Sequence, residues 1–168
     1  QTAKYKIIGM SIETRPDWIT DTEVKLLRQY GVTKVQMGVQ ALDDQILDNI
    51  KRGHHLDAVR KATKLLRDTG FKINYHFMPN LPGSTPEKDV SMAKTMFEDE
   101  DFRPDTLKIY PCIVIPKTQL HDQWQRGEYQ SYDDETLAKV LVDCKQQVPP
   151  YCRIDRLVRD ITRNWTAS

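Results

Sequence analysis

KVQMGVQALDDQILDNIKRGHHLDAVRKATKLLRDTGFKINYHFM, residues 34–78, decides the fold. It opens on Lys34-Val35-Gln36-Met37-Gly38-Val39, a short apolar and β-branched run that predicts a buried strand. Asp43 or Asp44 then starts a short helix through Ile50. A longer helix carries Val59, Ala62, Leu65 and Leu66 on one face and stops at Gly70. Phe71 to Met78 is again a strand. Two strands joined by a helical crossover of this length pair in parallel, with a right-handed connection.

The same alternation extends both ways. Upstream, Tyr5 to Ile12 reads as a buried strand. Thr20 with Glu23 makes a capping box, Ile19 and Val24 a hydrophobic staple, and Gly31 a helix stop. Downstream, Pro79-Asn80-Leu81-Pro82-Gly83 is a rigid turn, and Pro86 opens a helix that buries Val90, Ala93, Met96 and Phe97. Thr106 to Tyr110 predicts a strand, and residues 117–127 a short helix. Leu137, Val140, Leu141 and Cys144 mark a longer helix that Pro149-Pro150 terminates. Tyr151 to Val158 predicts a last strand. The fold class is α/β with a parallel sheet, either doubly wound or an arc of a barrel. No repeat or linker divides the chain.

Composition agrees with one folded domain. The 168 residues are 39% hydrophobic and 29% charged, with a net charge of +1. That balance excludes a disordered chain and a strongly basic nucleic-acid arm, but not a local basic surface. Apolar runs are too short to span a membrane, and Gln1 to Lys6 has no apolar segment behind it to act as a leader. Cys112, Cys144 and Cys152 fit neither a disulfide framework nor a zinc ribbon. They read as reduced thiols of a cytoplasmic protein. Position 1 is Gln rather than Met, and the expectation is a piece of a longer chain.

In parallel α/β folds the chemistry sits at the carboxyl ends of the strands. The first strand delivers Glu13-Thr14-Arg15-Pro16-Asp17. The second delivers Gln40, then Arg52-Gly53-His54-His55 after the short helix. The third delivers His76, Met78 and Asn80, and the fourth Lys108 and Tyr110. Each has a structural alternative: an ion pair of Glu13 with Arg15, a helix cap for Gln40, a solvated helix-end cation for Arg52, surface positions for His54 and His55, and a satisfied core histidine for His76. Phosphate-loop glycine motifs, a nucleophile elbow and close-spaced metal pairs are missing from the sequence. The residues alone indicate a polar rim suited to a small polar ligand.

Read together, the rim segments resemble one family. Met10-Ser11-Ile12-Glu13-Thr14-Arg15-Pro16-Asp17 is similar to the ETRPD signature of the Elongator catalytic subunit, a radical S-adenosylmethionine enzyme. Gly38-Val39-Gln40-Ala41-Leu42 with Arg52-Gly53-His54, His76 to Gly83, Leu107-Lys108-Ile109-Tyr110-Pro111, and Val148-Pro149-Pro150 with Arg156 to Ile161 resemble further segments of that family, in order. The resemblance covers Tyr5 to Ile161.

It implies a partial TIM-like (β/α) radical S-adenosylmethionine barrel. It also implies a role in forming 5-carboxymethyluridine at the wobble position of tRNA from acetyl-CoA, through a 5′-deoxyadenosyl radical made at a 4Fe-4S cluster. On this comparison Glu13, Gln40, Arg52 and His76 face S-adenosylmethionine. Glu13 would accept from its amino group, and Arg52 would bond its carboxylate bidentately. Lys108 and Tyr110 would meet acetyl-CoA or the flipped uridine, as catalytic residues. Arg15, Arg153, Arg156 and Arg159 would contact tRNA. Arg153, Arg156, Arg159 and Arg163 against Asp155 and Asp160 leave a local charge of +2.

The chain also departs from the family. The cysteine trio that ligates the cluster, the glycine-rich second strand and the acetyltransferase domain have no counterpart in it. The expectation is that residues 1–168 are the C-terminal part of a radical domain with a sheet edge left open. Its partners would be tRNA, acetyl-CoA, the rest of the enzyme and Elongator-type subunits, with no membrane. Two other readings stay open: a catalytically dead barrel that binds tRNA or a partner, and a radical enzyme of the coproporphyrinogen oxidase type.

Overall fold

The computed structural model describes residues 4–158. Five strands alternate with helices: β1 (Ser11–Thr14), α1 (Asp21–Gln29), β2 (Lys34–Gln40), α2 (Asp44–Asn49), α3 (Leu56–Asp68), β3 (Lys72–Phe77), α4 (Pro86–Glu98), β4 (Thr106–Ile109), α5 (Gln119–Gln125), α6 (Asp134–Gln146) and β5 (Arg153–Leu157). A 3-10 turn, Pro16–Trp18, follows β1. The helix starts are encoded locally. Thr20, Asp43, Thr85, Thr118 and Asp133 each accept a bond from the backbone N–H three residues on. Gly31 and Gly70, at φ 79° and 74°, carry the chain out of α1 and α3.

All neighbouring strands pair in parallel, in the order β1-β2-β3-β4-β5. Among the described residues the order never reverses, so they hold no switch point of the doubly wound kind. Crossovers that all turn one way put the helices on one face. This is an arc of a (β/α) barrel. On the outer face, Val35, Met37, Val39, Ile73, Tyr75, Phe77, Leu107 and Ile109 are buried in one cluster with Val59, Ala62 and Leu66 of α3 and Met92, Ala93 and Met96 of α4. The Tyr75 hydroxyl shares a hydrogen bond with Thr63. This outer layer supplies the hydrophobic stabilisation, roughly 1.5–3 kcal/mol for each large side chain buried. The inner face is left free for polar residues.

The ladder is irregular at two places. Met37 pairs with Tyr75 but Gln40 with Phe77, so β2 holds one extra residue at its carboxyl end. Leu107 pairs with Ile154 but Lys108 with Arg156, so β5 is bulged at Asp155.

The first strand differs from expectation. The sequence reads Tyr5 to Ile12 as buried strand, yet Tyr5, Ile7 and Ile8 are 82%, 78% and 97% exposed. Pairing begins where Thr33 and Lys34 donate to the Met10 carbonyl, because α1 ends only just before β2. Among the described residues, 4–9 have no strand beside them. His54, for which a surface position was open, is buried, and its side chain is fully covered.

The turn after β3 is clamped from below. Asp89 of α4 is fully buried and accepts from the Asn80 N–H (2.8 Å), the Ser84 hydroxyl (2.6 Å) and the Tyr132 hydroxyl (2.9 Å). Tyr129 donates to the Asn80 carbonyl at 2.7 Å, and the Tyr132 N–H to Asn80 Oδ1 at 3.1 Å. Asn80 itself sits at φ 67°. Burial pushes the Asp89 carboxyl up against the lowering effect of its donors.

Candidate functional site

The inner face carries polar side chains from every strand: Ser11 and Glu13, then Lys34, Gln36 and Gln40, then Asn74 and His76, then Thr106 and Lys108, then Asp155 and Arg156. The floor of this lumen, at the amino ends of the strands, is closed. Asp155 pairs with Lys34 and accepts from Asn74 Nδ2 at 3.2 Å, and Asn74 also bonds Thr106 Oγ1 at 2.6 Å. The carboxyl ends are open.

Gln40 ends β2 at φ 71°, a left-handed conformation that costs a residue with a Cβ about 1–3 kcal/mol. Ala41 N–H closes a three-residue turn onto the Val39 carbonyl at 3.0 Å. The bulge and this turn aim the Gln40 side chain into the lumen mouth. Its Oε1 is buried and has no hydrogen-bond partner among the described residues. A buried acceptor without a partner here is completed by a donor from water or from a ligand.

Arg52 lies over β2. Its Nε and Nη2 donate to the Gly38 carbonyl at 3.2 and 2.7 Å. A Cβ on Gly38 would overlap that guanidinium, so the glycine makes the cradle. Burial, then the like charge of Arg15, holds the Arg52 pKa below its ordinary value. Its remaining donors face a cavity of about 490 Å³ shared with Glu13, Gln40 and Trp18.

His76 stands between Gln36 Oε1 (3.3 Å) and Glu13 Oε1 (3.4 Å). Burial lowers its pKa, and the Glu13 charge opposes this. Tyr110 meets the imidazole edge to face, with ring centroids 5.9 Å apart. Glu13, Gln40, His76, Lys108, Tyr110 and Arg156 line a second cavity of about 570 Å³ beside the first.

The structure therefore brings together Glu13, Gln40, Arg52, His76, Lys108, Tyr110 and Arg156. Arg15 is at the mouth but engaged: it forms a bidentate pair with Asp17 (2.9 and 2.7 Å) and not with Glu13. The Arg15–Asp17 pair stands against the buried His54, whose Nδ1 is 3.8 Å from Asp17. Arg153 opposes Thr106 at the amino end of β5, away from the rim. Arg159 lies outside the described residues.

Gly38 and Gln36 were not singled out as site residues from the sequence. A glycine inside a strand signals a close approach, and period-two counting back from Gln40 reaches Gln36. Either signal would have found them.

The cysteines do not fit a metal cluster. Cys112, Cys144 and Cys152 are free and buried, and burial pushes their thiols up to about 11, 12 and 12. A ligating thiol needs the opposite shift. Among the described residues no group of three or more His, Cys, Asp or Glu is placed to hold a metal ion. No helix among them is long and apolar enough to cross a membrane.

Comparison with known proteins identifies the family. The Radical SAM superfamily matches residues 1–96, and the Radical_SAM C-terminal domain matches residues 104–167. The chain is 45% identical over 161 residues to the tRNA uridine(34) acetyltransferase of Dehalococcoides mccartyi, covering 96% of this chain and 35% of that protein. It is 39% identical to Elongator complex protein 3 of Saccharomyces cerevisiae, covering 96% and 29%. The chain thus spans about a third of the length of the curated relatives it matches. Among solved structures, the archaeal Methanocaldococcus infernus Elp3 matches with a TM-score of 0.93 and 42% identity, over 99% of this chain and 39% of that one. Coproporphyrinogen III oxidase of Escherichia coli, at 21% identity and a TM-score of 0.63 over 82% of this chain and 32% of that one, shares the fold.

Proposed function

The chain belongs to the Radical SAM superfamily, and from that premise we propose that it forms part of an enzyme that modifies the wobble uridine of tRNA. One observation carries the reading. The strained Gln40, Arg52 seated over Gly38, and Glu13 open to the mouth converge on one cavity, with a buried acceptor left open on Gln40. That donor set fits the amino-acid end of S-adenosylmethionine. Arg52 matches its carboxylate with a planar fork, Glu13 accepts from its ammonium, and Gln40 accepts from a further N–H or O–H donor.

S-adenosylmethionine, when bound and reduced, supplies a carbon-centred radical. The chain's own residues bind it, orient it and keep water from it. His76, whose charged form burial disfavours, sits beside Gln36 within reach of a ligand hydroxyl. Lys108 and Tyr110 face the neighbouring cavity, where the nucleoside enters. The cysteines here do not fit the 4Fe-4S cluster.

On this reading acetyl-CoA is the acyl source, tRNA is the substrate, and an acetyltransferase region and Elongator-type subunits are the partners. These come from the names of the relatives and the resemblance of the motifs. Three free thiols suit a reducing compartment such as the cytoplasm.

A segment exchange tests the proposal. This chain replaces the matching 161 residues of the Dehalococcoides mccartyi protein, and tRNA exposed to the hybrid is digested and read by mass spectrometry. Carboxymethyluridine at the wobble position is expected, and its loss in an Arg52→Met hybrid ties it to the cradle. A well-folded hybrid that binds S-adenosylmethionine and tRNA but makes no modified uridine would overturn the reading in favour of a binding module.

A further inference from the structure

The lumen is electrostatically lopsided. At its floor Asp155 answers Lys34. Near β1 and β2, Glu13 faces His76, and its charge also acts on Arg52. Across the lumen Lys108 and Arg156 oppose one another on β4 and β5. Neither makes an ion pair or a side-chain hydrogen bond among the described residues. Glu13 lines the same cavity but is turned to His76, and two cations side by side repel each other and gain from an anion placed between them.

The bulge at Asp155 creates this pair. In a regular strand Asp155 would oppose Lys108 and complete an ion pair, while Arg156 would turn to the outer face. The extra residue sends Asp155 down to Lys34 and Asn74 and brings Arg156 level with Lys108. Bulges recur beside active sites because they re-aim one side chain in this way. The Lys108 amine lies 6.0 Å from the Tyr110 ring centroid, so it reaches toward the open end. A flat aromatic face and two cations line the same 570 Å³ cavity.

We propose that Lys108 and Arg156 form one phosphate subsite inside the lumen, which takes the backbone phosphate of the nucleotide whose base is turned in toward Gln40 and His76. The inference rests on the RNA substrate proposed above. An enzyme that works on a base within a cup extrudes that nucleotide, and the phosphate travels with it. A lysine point charge and an arginine fork together match a tetrahedral oxyanion. The other source of phosphate is the coenzyme A moiety of an acyl donor, and the test separates the two.

Uridine 3′,5′-bisphosphate, uridine, coenzyme A and an anticodon stem-loop RNA are each titrated into the chain by calorimetry at several salt concentrations. The bisphosphate is expected to bind at least about tenfold more tightly than uridine. Lys108→Gln and Arg156→Gln each weaken it about tenfold, the scale of a lost charge-assisted bond. Each also lowers the salt slope for the stem-loop by about one. Lys108→Arg and Arg156→Lys restore the slope, and Lys64→Gln, on the far face of α3, leaves both measurements unchanged. Circular dichroism confirms that each variant is folded.

Bisphosphate affinity that is unchanged in both glutamine variants overturns the subsite, as does no binding to wild type. Coenzyme A binding with the same sensitivity, without bisphosphate binding, overturns the nucleotide assignment. Bisphosphate binding that obeys the pattern without stem-loop binding keeps the subsite and removes the RNA reading. Stem-loop binding with unchanged salt slopes removes the subsite and keeps that reading.

Discussion

A hydrogen atom in place of a side chain at position 38 decides where Arg52 lies. Gly38 has no left-handed φ, so its backbone accepts alanine, but the added methyl occupies the guanidinium's place. Gly38→Ala is expected to keep the fold and lower S-adenosylmethionine affinity at least about tenfold, the loss of a charge-assisted bond. An unchanged titration would remove Arg52 from the ligand. Gln40 is the reverse case, in which a side chain is kept at a backbone cost. Gln40→Gly is expected to raise the unfolding free energy by about 1 kcal/mol in urea while weakening the same ligand. A stability loss would show that the conformation carries no strain. Gln40 and Arg52 were legible as site residues because both fall at a strand's carboxyl end. The cover over His54 was not, because it comes from Arg15 and Asp17 of a turn thirty-odd residues away.

At the element scale, the clamp beneath the β3–α4 turn is the part most exposed to a single change. Asp89→Ala leaves the Asn80 N–H and the Ser84 and Tyr132 hydroxyls without their acceptor. It is expected to cost about 3 kcal/mol in urea unfolding, while Asp89→Asn, which keeps an acceptor oxygen, costs less. Equal losses would mean that the site responds to charge rather than to hydrogen bonding. Helix starts were readable because their signals are local, as with the Thr20 cap and Pro86 in the first turn of α4. The start of β1 was not, since Tyr5 to Ile8 have strand-like composition but pair with no strand among the described residues. A strand is a property of two segments, and only one of them is present in any local window.

For the whole molecule, pH acts through two buried imidazoles. Burial lowers the pKa of His54 and His76. Arg52 at His54 and Lys108 at His76 add to this, while Asp17 and Glu13 oppose it. The unfolded chain takes up protons near pH 6.5 that the folded chain resists. Stability is therefore full above about pH 6.5 and falls as the pH drops below it, until the lower folded values are passed. Urea midpoints measured from about pH 7.5 to 5 are expected to decline in wild type and to flatten in a His54→Gln/His76→Gln double variant. A decline of the same depth in both would assign it to the carboxylates. His55 has the opposite shift, from Asp48, but sits in solvent that screens it. The parallel α/β class was legible from the alternation of periods. The strand order and the meeting of Lys34 with Asp155, 121 residues apart, were not, since no local pattern records which strand lies next to which.

The bulge in β5 has a consequence for chain length. Along a regular strand, deleting one residue inverts the face of everything after it. Deleting Asp155 instead restores the even count, and Arg156 and Leu157 keep the sides they now occupy. What changes is the ledger of charge: Lys34 loses its partner, and Glu13 is left as the carboxylate among the lumen's cations. At this one position the cup registers a shorter chain as a shift in potential rather than a shift in phase.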